Sequence, residues 1–342
     1  MVLKKMMKAA LAASLVFCFA SVGAAETKVG GQVQTHWGQY NAGTDGYSAY
    51  FRNYTQGHVN VTSSAGPLSV FLQMEIVDDD GSKKEVSVDA DQDGTNETYA
   101  VGGGANKNNY KNAQARATYT SGDLKVSLGT VSNWMSCGFT NNGGMGNNKP
   151  ATEWQNCSNY TEEDGIQVKY GIPAMKGYAA LTLQNSDSYM KTSLTTVLQV
   201  VDGIKIMANQ LSRADKAAAD GTTGDKYSGL LLGVKAAFGK MAVAFDNYAG
   251  KYSDSENGSN QMGVMFSMAD LGPGKMILTY GTVEKLTGGT ASKKDVYTNL
   301  VYAIPVEKRA TVRAFYTSKA GTPTGGDTTT ATYMGGGLEL KF

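Results

Sequence analysis

Apolar and polar residues alternate with a period of two along most of this chain, and the alternation runs to its last residue. Counting back from Phe342, one set is Leu340, Leu338, Gly336, Met334 and Thr332, and the other is Lys341, Glu339 and Gly337. A strand sends successive side chains to opposite faces, so the segment predicts a strand with one apolar and one polar face. The clearest such run is Leu68 to Ile76, with Leu68, Val70, Leu72, Met74 and Ile76 on one side. Val29–Tyr40, Phe51–Thr62, Ala113–Tyr119 and Leu124–Thr130 alternate in the same way.

The pattern continues beyond Asp164. Ile166–Tyr170 turns at Ile172-Pro173-Ala174 into Gly177–Gln184, and Thr192–Val200 turns at Asp202-Gly203 into Ile204–Leu211. Leu230–Phe238 turns at Gly239-Lys240 into Met241–Tyr248, and Met262–Met268 turns at Asp270–Gly274 into Lys275–Thr282. Val296–Ile304 turns at Pro305–Lys308 into Arg309–Thr317, and the terminal strand follows. The whole predicts an all-β chain of about sixteen strands in eight hairpins. Tight Gly/Pro/Asp turns alternate with long polar loops, one of them running from Ile76 to about Asn109. Short turns at one end and long loops at the other predict a transmembrane, antiparallel, up-and-down β-barrel. A secreted β-helix, sandwich or lectin also alternates, because one face is buried, but does not sort its loops by length so regularly.

The amino terminus adds an address. Lys4, Lys5 and Lys8 precede an uncharged run from Ala9 to Ala20, and small residues follow through Ala25. That is the pattern of a secretory signal peptide over 1–24, with cleavage after Ala24 or Ala25 and the barrel domain in 25–342. Cys18 follows a bulky Phe17, which argues against lipidation. No later stretch is long and apolar enough for a spanning helix. A formal charge of +1 with scattered lysines excludes a nucleic-acid partner.

Several segments together resemble the sixteen-stranded general porins of Gram-negative outer membranes. They are Gly57–Val61 leading through Ala65-Gly66-Pro67 into Phe71–Glu75, then Leu124–Thr130, Asp164–Tyr170 with its Pro173 turn, and the Phe342 terminus. The resemblance implies passive diffusion of small hydrophilic solutes and ions through a water-filled pore. It also implies a homotrimer among outer-membrane lipids and lipopolysaccharide, and a terminal Phe342 read by the outer-membrane assembly machinery. A third external loop, 132–163 here, would fold inward to narrow the pore. By strand position, Arg52, Arg116 and Lys169 match the family's basic cluster, with Glu153, Glu162 and Glu163 as acid partners. Alternation alone also directs Glu75, Lys125, Lys205, Lys235, Asp246, Arg313 and Glu339 to the lumen, where charge sets selectivity.

Other chemistry is sparse. Cys137 and Cys157 both fall in the third loop, and in an oxidising compartment a disulfide between them is expected. Asp89, Asp91, Asp93 and Glu97 surround Gly94 as oxygen ligands in a calcium loop would, although position twelve is Ala100 and a merely soluble loop has the same composition. No cofactor is otherwise required. If the first two strands pair about residue 45, His58 faces Gln32 and lies away from His36, which leaves no metal or catalytic cluster. No nucleophile motif accompanies either histidine, so the chain reads as a non-enzyme. A substrate-selective channel would need a row of lumenal aromatics, and alternation supplies Phe71, Tyr178, Tyr297 and Phe315, widely spaced. A barrel enzyme or adhesin is the remaining alternative.

Overall fold

A computed structural model describes residues 26–41, 50–79, 83–88, 97–102, 109–132, 138–140, 162–186, 189–215, 224–323 and 326–342. The strands are β1 (Glu26–Asn41), β2 (Tyr50–Ala65), β3 (Leu68–Asp79), β4 (Lys83–Val88), β5 (Glu97–Gly102) and β6 (Asn109–Ser121). Then come β7 (Leu124–Ser132), β8 (Glu162–Ile172), β9 (Gly177–Asn185), β10 (Tyr189–Val201), β11 (Ile204–Asp215) and β12 (Lys226–Phe238). The last six are β13 (Met241–Tyr252), β14 (Gly258–Leu271), β15 (Gly274–Thr287), β16 (Thr290–Glu307), β17 (Ala310–Pro323) and β18 (Thr329–Lys341).

Sixteen of them form a closed antiparallel barrel, in which each strand pairs with its sequence neighbours, β3 pairs directly with β6, and β1 pairs with β18. The expected strand count is present, and the connections at one end are all tight. Those at the other end are not uniformly long: β15 and β16 are joined by Gly288-Gly289 alone, and β9 and β10 by three residues, because the ladders run on past the apolar alternation. His58 pairs with Gln32, and His36 with Tyr54, as the register about residue 45 requires. Closure leaves no unpaired strand edge, so the backbone is satisfied without water along the wall.

One expectation is corrected. The stretch between Ile76 and Asn109 is not uniformly loop, because β4 and β5 pair as a separate two-stranded sheet, Val88 against Glu97 and Lys83 against Gly102. Charged residues in and around these short strands interrupt the apolar alternation and hide the hairpin in the sequence.

The barrel is polar inside and apolar outside. Val33, Leu128, Ile166, Leu194, Leu232, Phe245 and Val264 are exposed on the outer wall. Gln34, His36, Thr182, Ser193, Asn209, Asp246 and Thr279 are buried on the inner one. Outward-facing Tyr119, Tyr170, Phe238 and Phe342 stand at the short-turn rim, all exposed. No described helix is long and apolar enough to cross a membrane.

Candidate functional site in the barrel lumen

The lumen is where the polar faces of sixteen strands converge, and its most telling feature comes from a loop. Residues 138–140, part of the connection between β7 and β8, lie inside the barrel against the wall of β10–β14. Phe139 is 5% exposed and packs in a cluster with Val197, Met207, Leu211, Tyr227, Leu231, Ala244, Tyr248 and Met265. Beside it the Thr140 N–H donates to the Asp246 carboxylate. Asp246 and Thr140 are themselves almost wholly buried. Gly138 has φ +78°, and a Cβ there would overlap the Asp246 carboxylate. A hydrophobic plug and a charge-assisted bond thus hold this segment across the interior. No run in the loop sequence announced it, because a lone Phe in a polar loop has no periodicity, and its pocket is assembled from five strands.

The wall divides into separate charged groups. Arg116 stacks over Phe71 at 5.2 Å, and Lys169 over Tyr178 at 3.7 Å. Lys125 lies directly opposite Lys169 across β7 and β8. Arg313 pairs with Glu339, which also holds Lys341 at 3.0 Å. Asp295 holds Lys293 at 3.1 Å and Lys319 at 3.8 Å. Lys205 and Lys235 oppose each other at the short-turn end.

Two of the three acids anticipated in the third loop fall elsewhere. Ser132 pairs with Glu162 and Val131 with Glu163, so both glutamates belong to β8. The ladder simply continues two residues beyond Asp164, where the apolar alternation no longer marks it. Glu163 accepts a hydrogen bond from the Tyr189 hydroxyl at 3.3 Å. Six residues separate it from Lys169, about 20 Å along a strand, so the structure does not bring those two together. Arg52 and Glu75 lie on β2 and β3, with side chains outside the described residues. Glu153, Cys137, Cys157, Asp89, Asp91, Asp93 and the leader 1–24 are outside them altogether, and Glu97 opens β5. Among the described residues no group of three or more His, Cys, Asp or Glu is arranged to hold a metal ion.

Aromatic residues on the inner wall are more numerous than the four expected. Tyr227 and Tyr252 meet edge to face at 4.9 Å, and the Tyr227 and Tyr248 hydroxyls hydrogen-bond. Arg213 lies 4.2 Å over Tyr189 and 6.0 Å from Tyr252, with Asp215 on its Nε at 2.6 Å. Tyr333 stacks on Phe315 at 4.8 Å. These tyrosines keep the lumenal parity of their strands, so extending each alternation to the strand end would have found them.

At the seam, the Gly31 N–H donates to Phe342 O and the Phe342 N–H to Gly31 O, both at 3.0 Å. The last residue therefore completes the ladder that joins β18 to β1.

No family model and no curated protein sequence matches the chain. Among solved structures it is similar to an anion-selective porin from Comamonas acidovorans, at 12% identity and TM-score 0.64, covering 93% of this chain and all of that one. It is also similar to OmpT in its trimer form, an outer membrane protein of Vibrio cholerae, at 13% identity and TM-score 0.61 over the same shares. A Rh. blastica porin mutant matches at 12% identity and TM-score 0.55, again over 93% of this chain and all of the other. What this chain shares with them is the closed sixteen-stranded barrel.

Proposed function

We propose that the chain is an outer-membrane porin, a water-filled channel for passive diffusion of small hydrophilic solutes and ions. The observation that carries this reading is the segment 138–140 pinned inside a polar lumen whose outer wall is apolar. An apolar outside with an aromatic rim suits lipid, and a polar inside suits water. In the mature protein the short turns face the periplasm and the long loops the exterior, as an even strand count with both termini at the short-turn end implies. The protein works as a homotrimer among outer-membrane lipids and lipopolysaccharide. The likeness to a barrel described in trimer form supports this. Transport involves no catalysis and no cofactor. A disulfide between Cys137 and Cys157 would stiffen the loop that narrows the path, by about 3 kcal/mol on the chain-entropy account. Calcium at Asp89, Asp91, Asp93 and Glu97 would serve an external loop and not the transport step.

Planar-bilayer recording of the purified chain tests the proposal. Open steps in groups of three, with weak ion preference and no saturation, are expected. Absence of any conductance would sink it. A second reading, a substrate-selective channel, draws on the tyrosines around Arg213, which offer stacking faces and a cation at the long-loop end. Current that saturates with one solute would favour that reading.

A further inference from the structure

All the tight turns at the short-turn end lie among the described residues, with only the segment 1–25 before β1 outside them. Besides Lys28 and Lys341, which are paired with Glu26 and Glu339, five lysines stand on the lumenal face of that end within a few residues of the turns: Lys125, Lys169, Lys205, Lys235 and Lys275. They form an arc from β7 to β15. Lys125 faces Lys169, and Lys205 faces Lys235, in direct cross-strand register. Like charges placed directly opposite destabilise a sheet unless something neutralises them.

Among the described residues no carboxylate does so here. The lumen-facing acids at this mouth, Glu26 and Glu339, are held by Lys28 at 2.9 Å and by Arg313 with Lys341. Among the turn acids, Asp202 bonds Lys176 at 3.3 Å and Asp270 bonds Lys240 at 3.0 Å. Asp123 and Glu307, beside other turns, make no ion pair with any of the five. The long-loop half of the wall differs, since Arg213 is paired with Asp215, and Lys293 and Lys319 with Asp295.

We propose that this lysine collar binds small oxyanions carrying two or more charges at the short-turn mouth and makes anion passage differ in the two directions. Opposed residues have Cβ atoms about 5 Å apart, so two flexible ammonium groups can close on one oxyanion with charge-assisted hydrogen bonds. An unbalanced charge at one mouth concentrates anions there. The directional part rests on the channel reading above; the binding part does not.

Two measurements with inorganic phosphate on the full chain separate them. Calorimetry in detergent should show phosphate binding to the wild type, weakened roughly tenfold or more in Lys205→Gln/Lys235→Gln and in Lys125→Gln/Lys169→Gln. Each change removes a repulsive pair, so the barrel is kept. Absence of wild-type binding, or binding unchanged in both double variants, overturns the collar. In bilayers with protein inserted from one chamber, phosphate should block chloride current at a roughly threefold lower concentration from one side than from the other. Lys235→Glu should abolish that difference. Equal block from both sides overturns the directional part. Phosphate binding without any wild-type current keeps the collar and refutes the channel.

Discussion

Asp246 lies far along the chain from the neighbouring Gly138 and Phe139, yet together they fix the segment 138–140 against the inner wall. Asp246 gives the segment a buried acceptor, Gly138 lets the backbone approach that carboxylate, and Phe139 fills the pocket beside it. Truncating a buried Phe to Ala costs about 3 kcal/mol or more, which shifts the docked-to-undocked ratio of the segment by roughly 100-fold. Phe139→Ala should therefore raise single-channel conductance while the barrel still assembles. Asp246→Ala should do the same by leaving the Thr140 N–H without its acceptor. Unchanged conductance in both assembled variants would mean that the segment does not narrow the path.

At the scale of elements, the strands are specified by alternation and held by what joins their ends. The closing pair shows this. A Cβ on Gly31 would overlap both the His58 carbonyl oxygen on β2 and the Phe342 ring. Gly31→Val should displace the ring, and deletion of Phe342 removes the two seam hydrogen bonds with Gly31. Both should lower the yield of folded barrel in detergent far more than they change the conductance of barrels that do assemble. Equal loss of yield and conductance would contradict that division. At the opposite end, Asp225 latches the connection between β13 and β14. It accepts from the Ser253 hydroxyl at 3.2 Å, the Asp254 N–H at 3.1 Å, and the Ser255 N–H and hydroxyl at 3.3 and 3.0 Å. Desolvation pushes its pKa up, but the hydrogen bonds from Asp254, Ser255 and Ser253 together outweigh this and hold it below the usual carboxylate range. A depressed carboxylate stabilises the folded connection above the unfolded pKa, and the effect is lost as pH falls through the folded one. Amide protection at Asp254 and Ser255 should thus be steady from neutrality to about pH 5 and fall well below pH 4. In Asp225→Asn it should be weak at every pH.

For the whole molecule, the reversed polarity is what a membrane requires and water forbids. The outer wall presents Leu194, Leu232 and Phe245 to its surroundings, and the lumen buries Asn209, Asp246 and Thr279. A chain of this kind has no stable soluble monomer, so its assembly is read in detergent or lipid. Light scattering of the detergent complex, corrected for detergent, should give a protein mass of about three chains, as the trimer proposal requires. A mass of one chain would refute it.

The sequence by itself determined the barrel. Period-two alternation is local, each residue reports its own face, and a one-residue slip would turn the whole apolar set inward. That is why the strand count, the turns at Asp202-Gly203 and Gly239-Lys240, and the His58–Gln32 register were all legible. The same parity placed Asp246 in the lumen before anything was known to sit on it. Legibility stopped where alternation did, at the β4–β5 hairpin and at the two residues by which β8 outruns its apolar set. Only the tertiary structure decided what meets across the interior. Phe139 reaches Asp246 over 106 residues of chain through its neighbour Thr140. Glu163 is carried away from Lys169 by six residues of strand, and five lysines from separate hairpins converge on one mouth. Those encounters depend on closure, which brings distant strands to opposite sides of one cavity, and no local pattern encodes a distance across a lumen.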